Sequence, residues 1–200
     1  MRKLVVPLMM ALMIGTVVAG CGKETTDTTF KSELTLESYV NDEKENEYLE
    51  DVSFKNEKEF VKLPVLINST VTDEKEAVGS NAGISLRVKM HSSENNSLGT
   101  LMSETYREEK EAIEEDGGII SSDPVYVEGD NYYILQQSFT KTVNDLEYPC
   151  LLIIKYDTLS MGGFVETAIV TDNTVTDETS HAVLEEILNA YNISLDSEGN

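Results

Sequence analysis

The sequence predicts an α+β domain over residues 48–193, an antiparallel sheet of about six strands flanked by two main helices. Three patterns carry that expectation. Ile84, Leu86, Val88 and Met90 alternate with Ser85, Arg87, Lys89 and His91, the period of a half-buried strand. Leu98, Leu101, Met102, Tyr106 and Ile113 fall at helical spacing, and Val183, Leu184, Ile187, Leu188 and Tyr191 repeat that spacing near the C-terminus. Two runs rich in β-branched and aromatic residues, 119–128 and 131–140, meet at Gly129-Asp130, a hairpin signal that makes their pairing antiparallel.

The remaining elements follow in order. Residues 52–55 and 60–68 read as strands, and Pro64, which has no N–H to give a ladder, confines the second to an edge or a bulge. The strand over 83–91 turns one face to the core. The first helix takes Asn96 or Ser97 as its N-cap and stops at Gly117-Gly118. Residues 150–156 are apolar at successive positions, the pattern of an internal strand covered on both faces. Gly162-Gly163 makes a turn into a strand over 164–171, and Thr176 or Asp177 caps the last helix. Residues 22–47 and 194–200 are polar and show no sustained period, so they read as a tether and a tail.

Charge narrows the function classes. Thirty-seven acidic and 15 basic residues give a formal charge of −22, and setting aside Arg2 and Lys3 of the first twenty residues leaves −24. Nucleic acid is excluded as a partner, because phosphate contacts need a basic face. The first twenty residues have the layout of a secretory signal, with Arg2 and Lys3, an apolar stretch from Leu4 to Ala19, and small residues before Cys21. That stretch is shorter than the roughly 20 residues of a bilayer span. Val18-Ala19-Gly20-Cys21 resembles the lipobox of bacterial lipoproteins. The resemblance implies that Cys21 becomes the mature N-terminus, carries diacylglycerol and anchors the chain to the outer face of a bacterial cell membrane. Domains are accordingly expected as 1–20 signal peptide, 21–47 lipidated cysteine and tether, 48–193 folded domain and 194–200 tail.

Signatures of chemistry are sparse. Cys150 lies in an apolar run with no electropositive neighbour, so it reads as a buried structural thiol. His91 on the polar phase of its strand and His181 in the first turn of the last helix read as surface histidines, and no metal or cofactor site is expected. No GxSxG elbow marks a serine, and Ser122-Asp123-Pro124 reads as a turn. Gly117-Gly118 follows a helix and Gly162-Gly163 precedes a strand, which disfavours a phosphate-cradling loop. Asp172-Asn173-Thr174-Val175-Thr176-Asp177-Glu178 lacks the glycine and closing glutamate of a calcium loop and reads as a connector. Glu108, Glu109, Glu111, Glu114, Glu115 and Asp116 crowd the C-terminal half of the first helix, where the macrodipole disfavours anions. Glu111, Glu114, Glu115 and Asp116 are therefore the candidate surface for a cation or a basic protein partner.

The order of strands, helix, four strands and helix over residues 49–193 resembles the PsbP-like fold of small exported proteins. That resemblance implies an accessory or binding role. The expected function is a non-enzymatic, lipid-anchored extracytoplasmic binding module with no cofactor. A carrier of a small ligand or cation, with Tyr126, Tyr132, Tyr133 and Tyr156 lining its site, is the alternative, and a hydrolase is a third.

Overall fold

The structure, a computed structural model, describes residues 47–55, 60–92 and 97–193. The leader, Cys21, the tether up to residue 46, the Asn96 cap and the tail lie outside the described residues. The chain is α+β, with an antiparallel sheet and two helices. In chain order the elements are β1 (Leu49–Lys55), β2 (Phe60–Leu66), β3 (Thr70–Thr72), β4 (Glu76–Asn81), β5 (Ile84–His91), α1 (Leu98–Glu115), β6 (Gly118–Ile119), β7 (Val125–Glu128), β8 (Tyr132–Val143), β9 (Leu146–Thr158), β10 (Phe164–Thr171) and α2 (Glu178–Ala190).

Eight strands form one sheet, ordered β3-β4-β5-β10-β9-β8-β6, with β7 also paired to β8. β1 and β2 form a separate two-stranded sheet, so both are edge strands and Pro64 is tolerated opposite Asp51. The expectation of about six strands is corrected upward: β3 and β4 are short, lack apolar alternation and gave no periodic signal, and the run expected as one strand over 119–128 divides into β6 and β7. Tight turns join several neighbours. Asn144 and Asp145, at φ of 52° and 63°, link β8 to β9 between the paired residues Val143 and Leu146, a two-residue hairpin loop that Asn and Asp accept. The Gly129-Asp130 hairpin is present, with the Gly129 N–H donating to the Tyr132 carbonyl at 2.9 Å.

Helix ends follow their caps. The Ser97 hydroxyl accepts from the Thr100 N–H at 3.3 Å, while Asp177 and Ser180 form a reciprocal capping box at α2. Gly117 stops α1 at φ 79°, and Gly118 passes so close to Ile113 that an added Cβ would lie 2.4 Å from its methyl.

Alternation along β10 and β9 divides the core between two faces. Val165, Ile169, Leu151 and Ile153 meet Leu86, Val88 and the α2 residues Val183, Leu184 and Ile187, together with the β1–β2 hairpin. Ala168, Leu152, Ile154 and Tyr156 meet Leu135, Phe139 and the α1 residues Leu101 and Ile113. Each of the three aliphatic side chains that α2 buries contributes about 1.5–3 kcal/mol. β9 is internal and buried on both faces from Cys150 to Tyr156, as its sequence predicts.

Candidate functional site

The polar phase of β5 does not face water along its whole length. On the face that carries α1, register places His91 opposite Phe164, Lys89 opposite Glu166 and Arg87 opposite Ala168. Along the inward edge of α1, the residues between Leu101 and Ile113 at steps of four are Thr105 and Glu109. Two polar stripes thus meet, with Glu166 between them. It is 1% exposed.

Both oxygens of Glu166 are occupied by its neighbours. Arg87 donates to Oε1 at 2.9 Å. Oε2 accepts from His91 Nε2 at 2.8 Å and from the Thr105 hydroxyl at 2.9 Å. The Tyr156 hydroxyl lies 2.8 Å from the same oxygen and 2.7 Å from Thr105 Oγ1, its one proton shared between them. Arg87 reaches back to the helix through Glu109 Oε1 at 2.9 Å. Burial pushes the Glu166 carboxyl up, but the His91 hydrogen bond, the Arg87 charge and the Tyr156 hydroxyl outweigh it and hold its pKa down to about 2. Burial, followed by the Glu166 charge, raises the Tyr156 phenol well above its usual range. Burial raises the Glu109 carboxyl against the pull of Arg87. The group is an ionised carboxylate whose acceptor sites are filled by its own fold, an arrangement suited to fastening α1 to the sheet.

A second polar knot meets α1 at Tyr106, beside Thr105. Gln137, fully buried, accepts from the Tyr106 hydroxyl at 2.9 Å and donates to the Ser122 carbonyl and hydroxyl at 3.2 Å and to the Ser138 carbonyl at 2.7 Å. Ser122 sits in the expected turn and serves as an acceptor there. On the opposite face Lys155 is also fully buried. Its Nζ donates to the carbonyl of Tyr191, the C-cap of α2, at 2.9 Å, pairs with Asp157 at 2.9 Å and lies 5.5 Å from the Tyr132 ring centre. Burial lowers the Lys155 ammonium pKa, with Asp157 opposing that shift.

Several sequence expectations change position here. His91 was expected at the surface, but α1 covers the polar phase of its strand and the imidazole is half-buried against Glu166. The four tyrosines do not converge. Tyr133 and Tyr156 are cross-strand partners on the α1 face and Tyr126 is 61% exposed, whereas Tyr132, one residue from Tyr133, points to the α2 face. Glu111, Glu114, Glu115 and Asp116 are exposed, with Lys110 3.8 Å from Glu114 and Lys141 ion-paired to Asp116. Among the described residues, no group of three or more His, Cys, Asp and Glu side chains is placed to hold a metal. Cys150 is buried, and burial pushes its thiol up to about 11. In the 172–178 connector, Asp172 Oδ1 accepts from the Thr174 N–H and hydroxyl at 2.7 and 2.5 Å.

Sequence reasoning missed Glu166, Arg87, Thr105, Glu109, Lys155 and Gln137. Its signal was a charge inside an apolar strand: Glu166 within Phe164–Thr171, and Lys155 within the 150–156 run.

No protein-family model matches the chain, and no curated protein matches it. Among solved structures, the chain is similar to the Saccharomyces cerevisiae Ran-binding protein Mog1p at 12% identity and a TM-score of 0.37, over 74% of this chain and 96% of that one. A Mog1 mutant gives 12% identity and 0.38 over 74% and 95%. A Pseudomonas aeruginosa protein of unknown function gives 7% identity and 0.33 over 68% and 93%.

Proposed function

We propose that this protein is a lipid-anchored, extracytoplasmic binding module that works through a protein partner and carries out no covalent chemistry. The observation that carries the proposal is the basic, apolar and small-residue leader ending in Val18-Ala19-Gly20-Cys21. The state of the buried Glu166 cluster supports the binding role. Glu166 spends its acceptor sites on Arg87, His91, Thr105 and Tyr156, which suits a scaffold that holds a surface rigid. Two acyl chains on Cys21 supply stable anchoring, because each buried methylene contributes about 0.8 kcal/mol. The acidic surface favours a basic partner and disfavours close docking to anionic lipid.

The test is metabolic labelling with an alkyne fatty acid followed by membrane fractionation. The wild type should take the label and sediment with membranes, and Cys21→Ser should lose both. A membrane-extracted wild type with an intact leader and an unlabelled Cys21 overturns the proposal.

A further inference from the structure

We infer that the outer edge of β7 is a strand-pairing site for an extended, basic segment of a protein partner. The inference rests on the binding-module reading and assigns that reading a surface.

Hydrogen-bond alternation fixes which groups β7 offers. Gly129 donates to Tyr132, and the register pairs Glu128 with Tyr133, Val127 with Ile134, Tyr126 with Leu135 and Val125 with Gln136. Bonded and non-bonded pairs alternate in an antiparallel ladder, so Val127 and Val125 direct their backbone groups at β8. The N–H and C=O of Tyr126 and Glu128 point away from it. Among the described residues β7 pairs with β8 and no other strand. The strand is short, four residues between Pro124 and Gly129, but Val125-Tyr126-Val127-Glu128 itself contains no lysine or proline and its register shows no bulge. Tyr126 is 61% and Val125 41% exposed, so apolar surface accompanies the free backbone groups.

Charge selects the occupant. Asp123 precedes the strand and Glu128, also exposed, ends it. On the α1 side, the Tyr106 hydroxyl donates to Gln137, which donates to Ser122, so α1 packs beside the turn that carries Asp123; burial and then Tyr126, Asp123 and Glu114 raise the Tyr106 phenol. A second copy of this chain would bring a formal charge of −22 to a surface already negative. A partner strand with Lys or Arg on alternate positions instead sets its cations against Glu114, Asp123 and Glu128 and over the Tyr126 ring, while its backbone completes the ladder.

The experiment uses the full chain in detergent micelles and two synthetic peptides of about ten residues, one alternating Lys and Val, the other Glu and Val. Binding is followed by titration calorimetry and by amide hydrogen exchange. The Lys-Val peptide should bind and slow exchange at Tyr126 and Glu128 about tenfold or more, and the Glu-Val peptide should not bind. Tyr126→Pro removes an outward N–H without touching the β8 ladder and should abolish binding, whereas Tyr126→Val keeps the N–H and should retain it. The combined Glu114→Gln, Asp123→Asn and Glu128→Gln variant should bind about tenfold more weakly and lose most of the salt dependence. Should Tyr126→Pro fail to fold, the exchange pattern and the charge variant still decide. Binding that leaves the Tyr126 and Glu128 amides unprotected, or no binding of the Lys-Val peptide, overturns the edge site. Loss of the fatty-acid label from the wild type would overturn the anchoring reading separately.

Discussion

The two faces of the sheet each bury a charge beneath a helix, and they use it differently. On the α2 face Lys155 meets the helix at its C-terminal carbonyl, where the macrodipole is negative, while Val183, Leu184 and Ile187 supply the apolar contact. On the α1 face the helix buries Leu101 and Ile113 near its two ends, and Thr105 and Glu109 between them meet Glu166 and Arg87. α2 is therefore held by burial with a charge tightening one end. α1 is held through the ionisation state of one carboxylate at its middle. The second arrangement draws its stability from a carboxylate held ionised, so it weakens as acid protonates that group.

The comparison breaks most severely at Lys155. Lys155→Ala leaves Asp157 without its partner and the Tyr191 carbonyl without its donor, and should lower the unfolding free energy by about 3–5 kcal/mol, measured by urea titration. Glu166→Gln should cost about 2–4 kcal/mol, because Arg87 loses a buried countercharge and the His91, Thr105 and Tyr156 hydrogen bonds lose a charged acceptor. It should also change the pH profile. The folded-state pKa of Glu166, about 2, lies below the ordinary 4.5. Its contribution is therefore fully present above the ordinary value and is lost as pH falls through the folded one. The wild type should lose stability across that window, and Glu166→Gln should lose less. Native-state amide exchange should place α1 among the first elements to open in acid, ahead of α2. The smallest effect belongs to the helix ends. α2 has Glu178 in its first turn, whereas α1 carries exposed Glu114 and Glu115 in its last. Replacing these two by Gln should raise the melting temperature slightly, by about 0.3 kcal/mol of stability per site.

How much of this was legible in the sequence depended on whether a residue's surroundings are local. The alternation over 83–91, the apolar run at 150–156 and the stripe ending at Tyr191 announce β5, β9 and α2 because burial there follows one period. β3 and β4 were invisible, since Thr70–Thr72 is exposed throughout and Ala77 is the one buried residue of Glu76–Asn81. The Glu166 cluster needed long-range register. Arg87 and His91 occupy the polar phase of a half-buried strand, and nothing local says that a helix covers that phase. Thr105 and Glu109 interrupt a helical stripe, which reads as a narrow apolar face until the sheet opposite supplies a carboxylate and an arginine. The acidic end of α1 was legible as a misfit, but the Lys141 ion pair with Asp116 joins residues 25 apart in the chain.

One contact at the start of the domain decides where mechanical load goes. The carboxylate of Glu186, on α2, accepts from the backbone N–H groups of Glu47, Tyr48 and Leu49 at 3.3, 3.0 and 3.0 Å. A pull applied at Glu47 meets that carboxylate before it can peel β1 from β2. The force passes into α2, and from the helix end through Lys155 into β9, an interior strand of the eight-stranded sheet. The pulling point is therefore linked through side chains to an interior strand of the larger sheet, and the two-stranded β1–β2 ladder does not bear the tension alone.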